Sequence, residues 1–270
     1  MSLRRHTQRS AGFRFKKSLG QNFLIEKWPC QKIVAILEQA KVQHVLEVGP
    51  GHGALTQHIL DKNIRVTAVE KDQRCVNRLQ DSFGDNPLFS VQEADVVDFD
   101  LHAWVQSSGS ERLAICGNIP YNMSSSILHW ILPEISNLCL VNFMVQLEFA
   151  ERLAARPASK AYGSLSVFVQ LQSHVRFDFK VDRSAFFPVP GVDSAVVTLV
   201  TDPDPYPKSV IRQVEKITRK VFSQRRKQLG NSLGNLVSEQ DKKSLGLDLT
   251  RRCETLSPRE FVDLAAVLSK

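Results

Sequence analysis

The chain lacks any apolar run long enough to cross a bilayer, so it contains no candidate membrane helix. Its N-terminal stretch, MSLRRHTQRSAGFRFKK, is basic but has no apolar h-region, which excludes a secretory signal. Cysteine is sparse. Cys30, Cys75, Cys116, Cys139 and Cys253 are odd in number and scattered, with no C-x-x-C pair and no Cys/His cluster at zinc spacing. That pattern excludes a disulfide framework, predicts reduced thiols and gives no structural metal site. Internal repeats are absent as well. A soluble cytoplasmic protein is expected, and nothing in the pattern requires more than a monomer.

Acidic residues are scarce at the two ends. Residues 1–30 hold seven Lys/Arg against one acid, and residues 201–270 hold fourteen against nine. Residues 31–200 are slightly acidic, with fourteen basic and eighteen acidic residues. The chain as a whole carries +7. A near-neutral middle between basic ends suits a polyanion gripped from two sides. With 270 residues, 43% of them hydrophobic, the chain can bury a substantial core in one large domain, with room for a small second one.

Apolar, β-branched runs alternate with helical patterns. His44–Gly49, Arg65–Glu70, Leu88–Ala94, Arg112–Gly117 and Leu140–Gln146 read as strands. Ala54–Leu60, Gln73–Phe83 and Ser124–Leu132 between them read as helices, and Tyr162–Gln172 as another. The alternation predicts a doubly wound, mostly parallel α/β sheet. His174–Val181 and Asp193–Val200 look like two strands joined by a Pro-rich turn, an antiparallel hairpin at the sheet edge. TDPDPYPK (Thr201–Lys208) has three prolines in eight residues and reads as a linker. Beyond it, Val210, Val214, Ile217 and Val221 form an apolar stripe, with Arg212, Lys216, Arg219, Lys220 and Lys227 mostly opposite. The expected organisation is a catalytic domain over 1–200 with a basic arm, a linker over 201–208, and a small all-helical domain over 209–270.

LEVGPGHGAL follows the first strand and opens a helix. Its glycines, Gly49, Gly51 and Gly53, permit positive φ and close approach of a ligand to the backbone. Glu70, closing the second strand, can accept from both hydroxyls of a ribose. Asp95, after the third strand, can meet an adenine amino group. The three lie at successive strand ends and outline an adenosine-shaped pocket, which suits both NAD and S-adenosylmethionine. The spacing is G-x-G-x-G rather than the dinucleotide G-x-G-x-x-G, and no nicotinamide partner follows.

The fourth strand ends in Gly-Asn-Ile-Pro-Tyr-Asn (Gly117–Asn122). Pro120 restricts Ile119 to an extended conformation, which can turn the Ile119 carbonyl out of the strand. The Asn118 side-chain oxygen is a second acceptor. Two adjacent acceptors match the two hydrogens of an exocyclic amine and can hold them out of plane, localising the lone pair toward an electrophile. Tyr121 offers a face for a base to stack on, and Phe186 and Phe187, stiffened by Pro188 and Pro190, offer a second. No strong general base is needed, because the amine becomes acidic as it is methylated. Positioning and electrostatics then carry the rate.

Six ordered stretches resemble the ribosomal RNA adenine N6,N6-dimethyltransferases: Lys16–Leu24, Val45–Thr56, Asn118–Leu128, Ala161–Gln170, Phe186–Val197 and Phe222–Leu233. The likeness is greatest to the housekeeping small-subunit enzyme, which dimethylates two adjacent adenosines near the 3′ end of its RNA. It implies a Rossmann-like S-adenosylmethionine-dependent fold. It also implies a helical C-terminal domain that contacts the small-subunit RNA of an assembling particle. By resemblance, Asn22, Leu24, Gly49, Gly51, Glu70, Asp95 and Asn118 hold the cofactor. Asn118, Ile119 (by its carbonyl), Pro120 and Tyr121 orient the target amine, and Phe186 is the stacking phenylalanine, Phe187 lying at a variable position. Arg4, Arg5, Arg9, Arg14, Lys16 and Lys17 on one flank, and Arg225, Arg226 and Lys227 on the other, are placed to track phosphates. Ile119 departs from the Asn-Leu-Pro-Tyr usual in the housekeeping enzymes and matches the macrolide-resistance, large-subunit enzymes, which makes those the nearest alternative. An RNA-binding assembly factor is the alternative from another class.

Overall fold

A computed structural model describes residues 22–109, 112–202, 206–234 and 246–267. The five sequence-predicted strands form with ends shifted by at most one residue: β2 (His44–Val48), β3 (Arg65–Glu70), β4 (Phe89–Glu93), β5 (Leu113–Asn118) and β6 (Leu140–Gln146). All five residues of β2 are buried, as expected of a parallel strand covered on both faces. Helices α1 (Trp28–Gln39), α2 (Ala54–Leu60), α3 (Gln73–Phe83), α4 (Leu101–Ser107), α5 (Ser124–Ile131), α6 (Leu147–Leu153) and α7 (Ser164–Gln170) connect or follow the strands. The sheet is completed by β7 (Ser173–Val181) and β9 (Ser194–Thr201), in the order β4-β3-β2-β5-β6-β9-β7. From β4 to β6 neighbouring strands run parallel, whereas β9 is antiparallel to both β6 and β7. It is a Rossmann-like sheet with an antiparallel edge. The chain leaves β2 toward β3 on one side and returns to β5 on the other. That reversal puts the ligand crevice beyond the carboxyl ends of β2 and β5.

The connection between β7 and β9 is more than a turn. Residues 182–193 make a short 3-10 turn and then β8 (Phe186–Phe187), which pairs antiparallel with β1 (Phe23–Leu24) in a separate two-stranded sheet. The segment after Leu171 therefore supplies the edge of the main sheet and also a clamp on residues 23 and 24.

Helix α8 (Lys208–Phe222) buries Ile211, Val214, Ile217 and Val221, with Val210 half-buried beside them. It packs with α9 (Leu229–Leu233), α10 (Pro258–Val267) and α7 around a third core that contains Tyr162, Val167 and Leu171 from the sheet side and Phe261 from α10. Tyr162, expected inside a helix, precedes one. Gly163 is the N-cap of α7 and donates its N–H to Ser166 Oγ at 3.0 Å, so the helix begins a residue after the glycine. No helix among the described residues is long and apolar enough to cross a membrane.

Candidate active site

The loop after β2 is built from backbone. Gly49, Gly51 and Gly53 all have positive φ, and the Gly53 N–H closes the turn on the Pro50 carbonyl at 2.9 Å. At Gly51 the requirement is also spatial. A Cβ there would stand 2.8 Å from Phe23 Cε1, and the Phe23 ring itself stacks on His52 with centroids 4.0 Å apart. Glycine is needed so that the loop and the Asn22–Leu24 segment can approach.

Glu70, at the end of β3, is 8% exposed. Its Oε2 accepts from Gly51 N–H at 3.1 Å and its Oε1 from Asp72 N–H at 2.8 Å. Burial holds its carboxyl above the usual range, against the pull of these donors. The Lys71 backbone N–H acts on the same carboxylate, and of its roughly four lone-pair sites these three donors leave one open to a ligand hydroxyl. Asp95 caps the turn after β4, accepting from Val97 N–H at 3.3 Å, and pairs with Lys71 Nζ at 2.6 Å. The Lys71 hydrogen bond holds the Asp95 carboxyl below its usual range. Glu47, which heads the glycine motif, is 1% exposed and accepts from Thr56 Oγ1 at 2.6 Å. Burial pushes its carboxyl up to about 7.

Strand β5 brings the second half of the site alongside. Glu47 and Cys116 are register partners, so the chain leaves β5 next to the glycine loop. Gly117 lies against β2 so closely that a Cβ would sit 2.3 Å from the Val48 carbonyl oxygen. Asn118 donates its Nδ2 to the Asn22 carbonyl at 3.0 Å, and no described residue donates to its Oδ1. Ile119 is buried at 1%, tied by its N–H to the Met144 carbonyl at 3.2 Å. Pro120 has φ −58° and ψ 131°, and its carbonyl accepts from Met123 N–H at 2.9 Å. Tyr121 is half-buried and fixed by a 2.6 Å bond between its hydroxyl and Ser194 Oγ. Burial raises its phenol above the usual value.

Two expectations are corrected by position. Phe186 was read as the stacking ring, but it is 1% exposed and belongs to the core under β2 and β3, so it offers no open face. Alternation along β8 turns Phe187 outward instead, at 49% exposure. Arg225, read as a phosphate contact, is committed within the protein. Its Nη1 and Nη2 donate to the carbonyls of Lys160 and Ser159 at 3.0 and 3.1 Å, and Glu254 lies 3.9 Å away. Arg226 and Lys227 are exposed. Arg4, Arg5, Arg9, Arg14, Lys16 and Lys17 lie outside the described residues. Asn22 and Leu24 stand beside the loop, Asn22 through its carbonyl and Leu24 as the partner of Phe186. Phe23, His52, Lys71 and Ser194 were missed as site residues. Phe23, His52 and Ser194 sit inside the quoted motifs, whereas nothing local marks Lys71. Among the described residues no His/Cys/Asp/Glu group can hold a metal.

The model of the ribosomal RNA adenine dimethylase family matches residues 12–270. The chain belongs to this family. It is therefore an S-adenosylmethionine-dependent methyltransferase of ribosomal RNA adenine. The site suits that cofactor on its own geometry, with a glycine-rich loop, a backbone-anchored carboxylate at Glu70 and an ionised Asp95 at successive strand ends. Curated relatives named ribosomal RNA small subunit methyltransferase A are 37% identical. That from Geobacter metallireducens covers 96% of this chain and 98% of its own, and that from Pseudomonas aeruginosa 95% and 96%. Among solved structures, the 23S rRNA methyltransferase ErmE is 27% identical with a TM-score of 0.70, covering 92% of this chain and all of its own. A dimethyladenosine transferase from Plasmodium falciparum is 23% identical with a TM-score of 0.73, covering 90% and 95%, and shares the fold.

Proposed function

We propose that this family member, acting as a monomer in the cytoplasm, dimethylates the N6 amines of two adjacent adenosines near the 3′ end of small-subunit ribosomal RNA within an assembling particle. The choice of subunit is supported by full-length relatives at 37% identity that bear the small-subunit name, against 27% for the 23S enzyme. In this reading residues 1–200 form the catalytic domain and 209–270 the RNA-facing helical domain, joined over 201–208.

Bound S-adenosylmethionine supplies an activated methyl group. Gly49 and Gly51 give it backbone to lie against, Glu70 takes the ribose hydroxyls, Asp95 the adenine amine, and Asn22 and Leu24 flank the methionine end. The observation that carries the mechanism is the Asn118 amide. Its Nδ2 is spent on the Asn22 carbonyl, which leaves Oδ1 as the acceptor for the target amine. The Ile119 carbonyl is the second acceptor. Together they accept both N–H groups in the first transfer and the one that remains in the second, holding the nitrogen lone pair out of conjugation; the methylated amine is acidic and loses its proton to solvent, so a neutral amide performs the task without a general base. Tyr121, anchored at Ser194, presents its ring to the flipped base.

The test is to incubate the chain with tritiated S-adenosylmethionine and undermethylated small or large subunits, then identify the labelled nucleoside. Label in N6,N6-dimethyladenosine from the small subunit alone is expected, and Asn118→Ala is expected to abolish it while sparing RNA binding. Label confined to the large subunit moves the assignment to the resistance-type enzymes. Tight small-subunit binding without label points to an assembly factor.

A further inference from the structure

Residues 22–24 form a strap across the site, held at three points. Asn22 accepts from Asn118 Nδ2 at 3.0 Å. Phe23 lies on Gly51 and stacks face to face on His52, with an interplanar angle of 14°. Leu24 pairs with Phe186 in the small sheet. The Asn22 carbonyl can pair only with the amide nitrogen of Asn118, so the strap decides which end of that side chain is left to accept. An amide turned the other way would offer N–H groups to an amine that has only N–H groups to give. We infer that His52 is a positioning residue for methyl transfer: its stack on Phe23 clasps the strap to the cofactor loop and thereby fixes the Asn118 amide in its accepting orientation.

His52 suits this task. Burial, with Arg78 and Arg74 nearby, pushes its imidazole down to about 4, so the ring stays neutral at working pH and stacks as an uncharged aromatic. It makes no claim on the reacting atoms, because the link runs from His52 through Phe23 and the Asn22 carbonyl to Asn118. The cofactor loop and the amine-binding amide are thus one connected unit. A glycine loop displaced from Phe23 releases the strap, and with it the acceptor.

The inference rests on Asn118 as the acceptor for the target amine, and the experiment separates the two. Steady-state methylation of undermethylated small subunits is compared for wild type, His52→Ala, His52→Phe, Phe23→Leu and Asn118→Ala. His52→Ala should lower kcat about tenfold or more at saturating cofactor and RNA, with the KM for RNA within about threefold of wild type. His52→Phe, which keeps a flat ring, should restore most of kcat. The Asn118 side-chain amide resonances should move in His52→Ala and return in His52→Phe. Should His52→Ala misfold, Phe23→Leu is the substitute: it keeps apolar cover on Gly51, loses the stack and should show the same kcat loss. Unchanged kcat in His52→Ala beside an inactive Asn118→Ala overturns the inference alone. So does a loss seen only in the cofactor KM, or a His52→Phe as slow as His52→Ala. An active Asn118→Ala removes the underlying mechanism as well.

Discussion

At the scale of single residues, the site keeps charge where it is costly. Glu47 has no counter-ion among its described contacts, and the Thr56 hydroxyl that donates to it offsets little of its desolvation. Its carboxyl rises from 4.5 to about 7 in the folded chain. A carboxyl raised on folding binds more protons in the native state, so its contribution to stability is full below about pH 4.5 and is lost as pH climbs through 7. A shift of that size corresponds to roughly 3 kcal/mol as an order of magnitude. Glu70 titrates in the same direction. In the cofactor-free protein the urea midpoint should therefore fall between about pH 5 and pH 8, and Glu47→Gln, which can still accept from Thr56, should flatten much of that fall. Equal slopes in the two proteins would show that Glu47 does not titrate with folding. The positions of Asn118, Pro120, Tyr121, Gly49 and Glu70 were legible in the sequence because they end a strand or follow directly on one. Phe186 was misplaced because a two-residue strand carries no readable alternation, and only its pairing with β1 decides which ring faces in.

At the scale of elements, α8 and the turn after it divide their basic residues by task. Arg225 braces the 159–160 loop, whereas Arg226 and Lys227 face outward. Neutralising Arg226 and Lys227 to Gln should weaken particle binding and make its log–log salt dependence shallower by roughly two. Arg225→Gln should instead lower the thermal midpoint with little change in salt slope. An unchanged slope in the double variant would move the phosphate contact to another surface. The long strands, α3 and the apolar stripe of α8 were read because they show their period over two turns or more, and the seven-residue α2 because the glycine loop marks its start. Helices α4 and α6, also of seven residues each, are too short to display a period and follow no glycine loop, and they went unread. Helix α1 was also missed, although Pro29 in its first turn is a start signal. The β7–β9 pair was anticipated as a hairpin. What sequence could not show is that β9 inserts between β6 and β7, since that depends on the pairing of residues about 50 positions apart.

At the scale of the molecule, the sheet and the helical end are not separable bodies in their packing. Tyr162, Val167 and Leu171 precede the last strands yet share a core with Val214, Val221 and Phe261. Phe261 is fully buried, and Phe222 lies 6.0 Å from it, ring to ring. Phe261→Ala should cost about 3–5 kcal/mol of stability. Because the core is shared, calorimetry should show one transition at a lower midpoint rather than the loss of a separate minor peak; two resolved transitions would mean that the halves melt independently. The pairing of Phe23 with Phe187 bears on how the protein is made. Chains emerge from the N-terminus, so the strap waits without its partner until Phe187 has been synthesised. β7 likewise waits for β9, the only strand among the described residues that it pairs with in the sheet. The cofactor pocket is thus completed long after its glycine loop has been made, and a nascent chain stalled before Phe186 would carry that loop but not the clamp that finishes the site.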